Sequence, residues 1–204
     1  SEINNAHKVS ERIADEWPLR PSQDYETQHV RKIVDYLIPA IKLHMGSRNF
    51  NWPLKGIWEF LLIRDLSVNA YSIGNGKVYI TDGTYNFVET EAELAAIIIH
   101  EMAHQLMGHF CKNDKGRATR GVGSFVQILD DAKEIEADTL AIEILQHTDF
   151  PPHAMLAVVK RMPVLKEGSA QKRSRIDALE SQLKKVAAIP FTSSPEFLSI
   201  KQDP

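Results

Sequence analysis

The feature that most constrains this chain is an HExxH motif, His100-Glu101-Met102-Ala103-His104, set inside a long apolar stretch. Residues four apart lie one turn from each other on a helix, so this spacing places both imidazoles on one face. Aliphatic residues flank the motif on both sides, and a helix of this composition is buried nearly all round. Because histidines and a glutamate buried together need a strong partner, the motif and its flanks indicate a metal-binding helix.

The motif alone is also compatible with a helix whose histidines face solvent, since chance produces it in roughly a few per cent of chains with 8 histidines. The apolar flanks favour the metal site. Two neutral imidazoles one turn apart suit Zn²⁺, which forms short bonds to histidine nitrogen. Glu101 follows the first histidine, where its carboxylate can act as general base towards a water that zinc activates.

A catalytic zinc usually has three protein ligands, so a third ligand is expected from another part of the chain. The segment Glu134-Ile135-Glu136-Ala137-Asp138 falls on a predicted helix, with Glu134 and Asp138 on one face. Glu134 is the expected third ligand, and Asp138 is expected to accept the second N–H of a ligand histidine. Glu136 projects to another side and is less favoured as a ligand. Taken alone, this segment fits an acidic solvent-facing helix; after an HExxH helix, it favours the metal site.

Helical patterns dominate the rest of the chain. The motif helix starts at Thr90, which forms a capping box with Glu93, and runs towards Phe110. Apolar periodicity predicts further helices at 27–45, 129–147, 153–162 and 174–188, and strands at 60–68 and 77–81. From the residues alone, 69–76 is a turn-rich connector and 113–124 is a mobile loop.

Charge and hydropathy exclude several classes of partner. A formal net charge of -3 and a pI near 6.2 give no reason to expect nucleic acid. The basic residues from Lys160 to Lys185 recur at helical spacing, which favours a solvated helix face over a binding patch. No apolar run approaches the roughly 18 residues of a membrane-spanning helix, and the first residues do not resemble a signal peptide. The oligomeric state stays open.

Three segments together resemble the gluzincin metallopeptidases of the M48 type, the family that includes HtpX and the CAAX prenyl proteases. Asn69 to Gly83 is similar to the family's NAxAxPxGxVxVxxGL segment. Glu91 to His109 is similar to the family's motif helix, including the histidine after the motif. Residues 134–138 resemble the family's ExEAD, whose first Glu is the zinc ligand and whose Asp supports it. The resemblance covers about Phe60 to Met162, in the family's order.

The resemblance implies an α+β, mostly helical fold: a zincin-like catalytic domain with a small antiparallel or mixed sheet whose edge strand lines the active site. It also implies that the edge near Ala70 and Ser72 holds an extended substrate, which adds to the sheet through backbone hydrogen bonds. We expect an N-terminal helical extension or linker at 1–25, the catalytic domain at 26–190, and a C-terminal tail at 191–204.

Two departures from the family pattern bear on regulation and catalysis. Gly74 stands where the family often has Pro, and Ser169-Ala170 stand where many relatives have a His-Pro pair before Arg175-Ile176. In some soluble relatives that histidine can approach the zinc and restrain activity, so its absence suggests an open fourth coordination position without that restraint. The absence also leaves the oxyanion stabiliser unassigned, with Tyr71, Arg173 and Arg175 as candidates.

The other histidines carry weaker signals. His109 matches the family's helix but lies five residues after His104, off the ligand face, so we expect a structural or supporting role. The remaining ones have no companion at ligand spacing and are expected at the surface: His7, His29, His44, His147 and His153.

The sequence therefore predicts a soluble zinc endopeptidase with one Zn²⁺ per chain, acting on extended or misfolded polypeptides. The expected ligands are His100, His104 and Glu134, with Glu101 as base and Asp138 as support. The absence of spanning helices favours the soluble branch of the family, in the bacterial periplasm or cell envelope, with a lipid-anchored precursor as an option. One alternative is a zinc-bearing protein-binding or chaperone module with little or latent proteolytic activity, which holds partners through the same strand edge. Another is a latent protease in which the 113–124 loop covers the site.

Overall fold

A computed structural model describes residues 11, 17–46, 52–53, 56–109, 123–124, 130–163 and 168–202. In chain order the elements are α1 (Tyr25–Met45), β1 (Glu59–Ile63), β2 (Ala70–Gly74), β3 (Lys77–Thr81), α2 (Asp82–Phe87), α3 (Glu91–Leu106), β4 (Gly123–Ser124), α4 (Asp131–Leu145), α5 (His153–Arg161), α6 (Ser169–Leu183) and α7 (Pro195–Gln202). The predicted mostly helical α+β class is confirmed. The predicted 1–25 extension and 113–124 loop lie largely outside the described residues.

Helix α3, which carries the HExxH motif, forms the centre of the core. All 16 of its residues are buried. It packs against α1, α4, α5 and strand β2, so protein surrounds it on every side. A helix without a solvent face must satisfy its polar side chains with protein groups or a ligand, which is why its histidines and glutamate matter.

The start of helix α3 agrees with the sequence prediction, but its end does not. At the start, Thr90 accepts a hydrogen bond from the Glu93 backbone N–H at 3.2 Å, as the capping box predicts. The end differs from the prediction, because α3 stops at Leu106 rather than running towards Phe110. Gly108 adopts φ +69°, a left-handed conformation that ends helices, and the His109 N–H bonds to the His104 carbonyl at 2.9 Å.

The sheet has the strand order β1-β3-β2-β4 in the described part of the chain. Strands β1 and β3 are parallel, whereas β2 is antiparallel to both β3 and β4. The residues that looked like a turn-rich connector contain strand β2 and its hairpin turn at Asn75-Gly76, with φ of +49° and +81°. A Cβ at Gly76 would lie 2.3 Å from the Ile57 carbonyl, so only glycine fits there.

The segment predicted as a C-terminal tail packs onto the core. Helix α7 buries Phe197 completely, and the Ser194 N–H and hydroxyl donate to the Glu91 carboxylate at 2.8 and 2.9 Å. The same carboxylate lies 2.6 Å from Nε2 of His29, whose Nδ1 contacts the Tyr85 hydroxyl at 2.8 Å. His29 is 1% exposed, so the prediction of a surface histidine is wrong. Its partners come from α2, from the start of α3 and from the C-terminal segment, which local sequence does not reveal.

Among the described residues, none of the helices combines the length and the apolar composition that crossing a bilayer requires.

Candidate metal centre

Three side chains from two helices point at one place in the core. His100 and His104 come from α3 and Glu134 from α4, and all three are buried. The two Nε2 atoms lie 3.0 Å apart. One Glu134 oxygen lies 3.4 Å from Nε2 of His100, and the other lies 3.5 Å from Nε2 of His104. Within the described residues, this is the one group of histidine, cysteine or acidic side chains close enough to hold a metal ion.

The three separations are those that a tetrahedral ion imposes on its ligands. Bonds of about 2.0–2.1 Å to zinc place neighbouring ligand atoms about 3.3–3.4 Å apart. The observed separations of 3.0, 3.4 and 3.5 Å bracket that value. The donor set of two imidazoles and one carboxylate therefore fits a zinc ion in size and in chemistry.

The charged groups of this cluster can accommodate a divalent cation. Glu101, Glu134 and Asp138 bring three carboxyl groups into the core, each at most 3% exposed, and the guanidinium that faces them is Arg175, at 0% exposed. When the carboxyl groups are ionised, their sum with Arg175 is two negative charges, which neutral histidine ligands and a divalent cation would balance. Both Glu101 carboxylate oxygens are buried without a hydrogen-bond partner within the described structure, as expected of a group that faces a reaction centre.

The Asp138 carboxylate lies behind His100. Its Oδ1 is 2.9 Å from Nδ1 of His100. Arg175 donates to both Asp138 oxygens, from Nε and Nη2, at 2.8 Å each. Burial alone would raise the pKa of Asp138, but the charge of Arg175 and the bond to His100 hold it below its usual value. An ionised Asp138 fixes His100 with its Nε2 towards the centre.

The two motif histidines have opposite electrostatic environments. Burial lowers the pKa of His100, but the hydrogen bonds and charges of Asp138 and Glu134 outweigh it and raise the pKa to about 9 in the protein without a bound cation. Burial, reinforced by the charges of His100 and His109, takes the pKa of His104 well below its usual value. His104 is therefore neutral and ready to coordinate, whereas His100 must release a proton when a metal binds.

Glu101 lies in an environment that raises its pKa in the protein without a bound cation. Burial raises its pKa to about 8, Glu134 adds to the rise, and His100 and Arg175 oppose it. A carboxyl group with a pKa near the working pH can both accept and return a proton, which is what a general base and acid requires.

Strand β2 lies directly over the motif helix. The Ser72 hydroxyl donates to the Glu101 carbonyl at 3.1 Å and accepts from Nε2 of Gln105 at 2.8 Å. Gln105 also donates to the Lys77 carbonyl at 3.0 Å and accepts from the Gly76 N–H at 2.6 Å. Gln105 thus fixes the β2–β3 hairpin to α3, a role that the sequence reasoning missed because its partners lie about 30 residues away in the chain.

The expected substrate edge at Ala70 and Ser72 is partly covered. On the side away from β3, Tyr71 pairs with Ser124 and Ser72 pairs with Gly123. Among the described residues, the outermost strand at these positions is therefore β4, not β2. The short strand that follows the motif helix supplies backbone partners that the sequence reasoning assigned to a substrate.

Two candidates for an oxyanion stabiliser are not placed for that role. Tyr71 lies on the other face of β2, packed with Trp17, and its hydroxyl accepts a hydrogen bond from Asn69 at 2.9 Å. Arg175 directs its three guanidinium nitrogens at Asp138, Glu134 and Met162. Arg175 is therefore placed to hold the Asp138 and Glu134 carboxylates. The third candidate, Arg173, is exposed.

His109 lies against His104. Its Nδ1 is 2.9 Å from Nδ1 of His104, and its Nε2 is 3.2 Å from a Glu136 carboxylate oxygen. Burial lowers the pKa of His109, even though Glu136 acts in the opposite direction. The prediction that Glu136 projects away from the ligand cluster agrees with this contact. The signal that could have placed His109 is Gly108, which ends the helix and turns the chain back.

Comparison with known proteins points to one family. The family model described as "Peptidase family M48" matches residues 25–128, a range that includes α3 and the whole of β1 to β3. The chain is similar to the mitochondrial metalloendopeptidase OMA1 of Schizosaccharomyces pombe, 27% identical over 158 residues, which are 66% of this chain and 42% of that protein. It is similar to the beta-barrel assembly-enhancing protease of Escherichia coli strain K12, 23% identical over 144 residues, with coverage of 53% and 29%.

A shorter match, 37% identical over 57 residues, links it to OMA1 of Arabidopsis thaliana and covers 28% of this chain and 12% of that one. The chain thus spans less than half the length of each of these relatives. Since the family model matches about half of the chain and includes both motif histidines, the resemblance seen in the sequence is confirmed, and the chain belongs to peptidase family M48.

Proposed function

We propose that this chain is a zinc-dependent endopeptidase domain that hydrolyses peptide bonds in extended or misfolded polypeptides. The observation that carries this proposal is the convergence of His100, His104 and Glu134 within 3.0–3.5 Å. The Glu101 carboxylate is buried in the same cluster and has no hydrogen-bond partner among the described residues. Membership of peptidase family M48 and the names of two relatives as metalloendopeptidases support it.

Zinc is the cation that best matches this donor set. Imidazole nitrogen and a single carboxylate suit zinc, whereas calcium and magnesium prefer sites built from oxygen. The roles proposed for His100, His104 and Glu134 are those of ligands, and Asp138 is proposed to fix the His100 ring.

When bound, zinc supplies a positive charge that polarises a peptide carbonyl and acidifies a water molecule. The residues of the chain supply proton transfer and position. Glu101 takes the proton of the attacking water on a carboxylate oxygen and returns it to the nitrogen of the leaving amine. Its buried position excludes bulk water.

Binding of an extended substrate fits the sheet above the motif helix. Strand β2 is held against α3 through Ser72 and Gln105, so a peptide that joins this sheet would lie along the helix that carries the proposed ligands. Backbone pairing is independent of side chains, which is consistent with unfolded polypeptides as the substrate class.

Replacement of Glu101 by Gln tests the enzymatic proposal. We expect Glu101→Gln to lose cleavage of casein or a quenched fluorescent peptide by at least about a hundredfold while zinc binding persists. Glu180→Gln, an exposed glutamate on α6, is the matched control and should keep full activity. A wild-type protein that shows no cleavage, together with unchanged partner binding in Glu101→Gln, would contradict the enzyme and favour the binding module.

Metal analysis tests the ligand set separately from turnover. We expect purified wild-type protein to retain about one zinc per chain, and His104→Ala and Glu134→Ala to lose it on dialysis against a weak chelator. Stoichiometric zinc in either variant would remove that residue from the proposed ligand set.

A latent form of the same protein is the second candidate, favoured by the pairing of β4 with Tyr71 and Ser72. In that form, strand β4 pairs with the backbone of β2, where a substrate would otherwise form its hydrogen bonds. Gly123→Pro removes a backbone N–H from β4 and should raise the rate of peptide cleavage if β4 blocks substrate. An unchanged or lower rate would count against latency by this route.

A periplasmic or cell-envelope location is part of the proposal. Relatives named as mitochondrial and as beta-barrel assembly-enhancing are compatible with it.

A further inference from the structure

The histidine after the motif helix is held in place on both sides. Gly108, at φ +69°, turns the chain back so that the His109 N–H bonds to the His104 carbonyl at 2.9 Å. Lys133 from α4 donates to the His109 carbonyl at 3.2 Å. The His109 side chain is 6% exposed, so its ring has little freedom to leave this position.

The ring of His109 joins a ligand to a surface carboxylate. Its Nδ1 is 2.9 Å from Nδ1 of His104, and its Nε2 is 3.2 Å from Oε2 of Glu136. The Glu136 side chain is 55% exposed. The chain of contacts therefore runs from the ligand cluster, through two imidazoles, to solvent.

When His104 and His109 are both neutral, the donors and acceptors of these groups allow one arrangement of protons. An ionised carboxylate only accepts hydrogen bonds, so Nε2 of His109 carries the proton in its contact with Glu136. In a neutral imidazole the other nitrogen is then an acceptor, which makes His109 accept from His104. His104 must therefore carry its proton on Nδ1, and its Nε2 lone pair faces His100 and Glu134.

We propose that His109 and Glu136 are positioning residues for His104: they hold its ring as the Nδ1–H tautomer, with Nε2 directed at the metal centre. This inference rests on the proposed metal site. It gives His104 a support separate from the Asp138 that supports His100, and it gives a task to Glu136, which the ligand set does not use. Neither His109 nor Glu136 touches the proposed reaction centre itself.

Zinc affinity measured by competition with a chromophoric chelator tests the proposal without turnover. We expect His109→Ala to weaken zinc binding about 10- to 100-fold, the usual effect of removing a group that orients a metal ligand. His109→Asn should stay within about threefold of wild type, since its amide oxygen can accept from His104 where Nδ1 did. His147→Ala, at an exposed histidine just after the end of α4, should bind zinc as wild type does.

The tautomer is measured directly by ¹⁵N NMR of the histidine rings in the chelator-treated, metal-free protein. We expect a protonated Nδ1 and an unprotonated Nε2 for His104 in wild type and in His109→Asn, and loss of this preference in His109→Ala. Thermal unfolding of each variant distinguishes loss of the fold from loss of the His104 ring orientation. If His109→Ala does not fold, the test uses His109→Asn.

Three results would overturn the inference. They are Nε2–H as the His104 tautomer in wild type, zinc affinity in His109→Ala equal to wild type, or a loss in His109→Asn as large as in His109→Ala. A wild-type protein that binds no zinc would overturn the metal site together with this inference, so the two failures are distinguishable.

Discussion

The two motif histidines share one helix turn but are supported by unlike structures. The His100 ring contacts Asp138, and Arg175 donates two hydrogen bonds to the Asp138 carboxylate. All three residues are at most 1% exposed. His104 is backed by His109 and then by Glu136, whose side chain is 55% exposed. The support of His100, made of Asp138 and Arg175, is charged and buried. The support of His104 is the His109 ring, which in turn contacts the solvent-exposed Glu136 carboxylate.

The difference has physical consequences for stability and for metal binding. Ion pairs in a dry interior interact strongly but are costly to break, because the partner left behind keeps an uncompensated charge. A carboxylate in water interacts weakly and is screened by salt. We therefore infer that the support of His100 is part of the folding core, whereas the support of His104 adjusts the site with little effect on the fold.

The largest expected loss of stability comes from removing Arg175, which belongs to the buried support of His100. Arg175→Met leaves the Asp138 and Glu134 carboxylates buried without their cation, so we expect the free energy of unfolding to fall by about 3–5 kcal/mol. Urea denaturation followed by circular dichroism measures it. Arg173→Met, at an exposed arginine two residues earlier, should change the stability by less than about 0.5 kcal/mol. A similarly small change for both variants would remove the distinction between core and surface.

The second expectation concerns pH. In metal-free protein the pKa of His100 is raised to about 9. A raised pKa stabilises the fold fully below the unfolded value, about 6.5, and this stabilisation is lost as the pH rises through about 9. We expect the free energy of unfolding in chelator to fall by about 2–4 kcal/mol over that range, with Glu101 adding a loss of the same sign.

Two variants distinguish the support of His100 from that of His104 in the same measurement of unfolding free energy against pH. Asp138→Asn should flatten the pH dependence, since it removes the carboxylate that faces Nδ1 of His100. Glu136→Gln should leave the slope as in wild type, because Glu136 contacts His109 and not His100. Equal slopes for the two variants would show that the supports are not independent.

The third expectation is a difference in zinc affinity and in its dependence on salt. Asp138→Asn should weaken zinc binding by about 10- to 100-fold, or about 1.4–2.7 kcal/mol. Glu136→Gln should cost less than about tenfold, and raising NaCl from 0.05 to 0.5 M should shrink that loss, because Glu136 is solvated. A salt-dependent loss for Asp138→Asn would contradict its placement in a dry region.

The smallest expected effect tests the turn that brings His109 back. Gly108→Ala must adopt φ +69° with a Cβ, so we expect a loss of about 1–2 kcal/mol in unfolding free energy. Gly168→Ala, at φ -89°, is the matched control and should be within about 0.5 kcal/mol of wild type. If the turn positions His109, Gly108→Ala should also weaken zinc binding, and unchanged zinc affinity would argue against this role of the turn.

Much of the fold was predictable because its signals are local. The capping box at Thr90 and the apolar runs placed the start of α3, and periodicity placed α1, α4 and α5 within a few residues. The end of α3 was missed although Gly108 signals a helix stop, because the apolar pattern continues past it. Strand β2 was found only through the family resemblance, since its five residues carry no clear alternation.

By itself, the sequence determined that His100 and His104 share one helix face, because residues four apart lie one turn from each other. It also singled out Glu134 and Asp138 by their order after the motif. Only the tertiary structure decided which histidine Asp138 supports, where Arg175 directs its nitrogens, and that His109 meets His104. These contacts join side chains on separate helices or across a helix end, and their distances depend on how the elements pack, which no local pattern encodes.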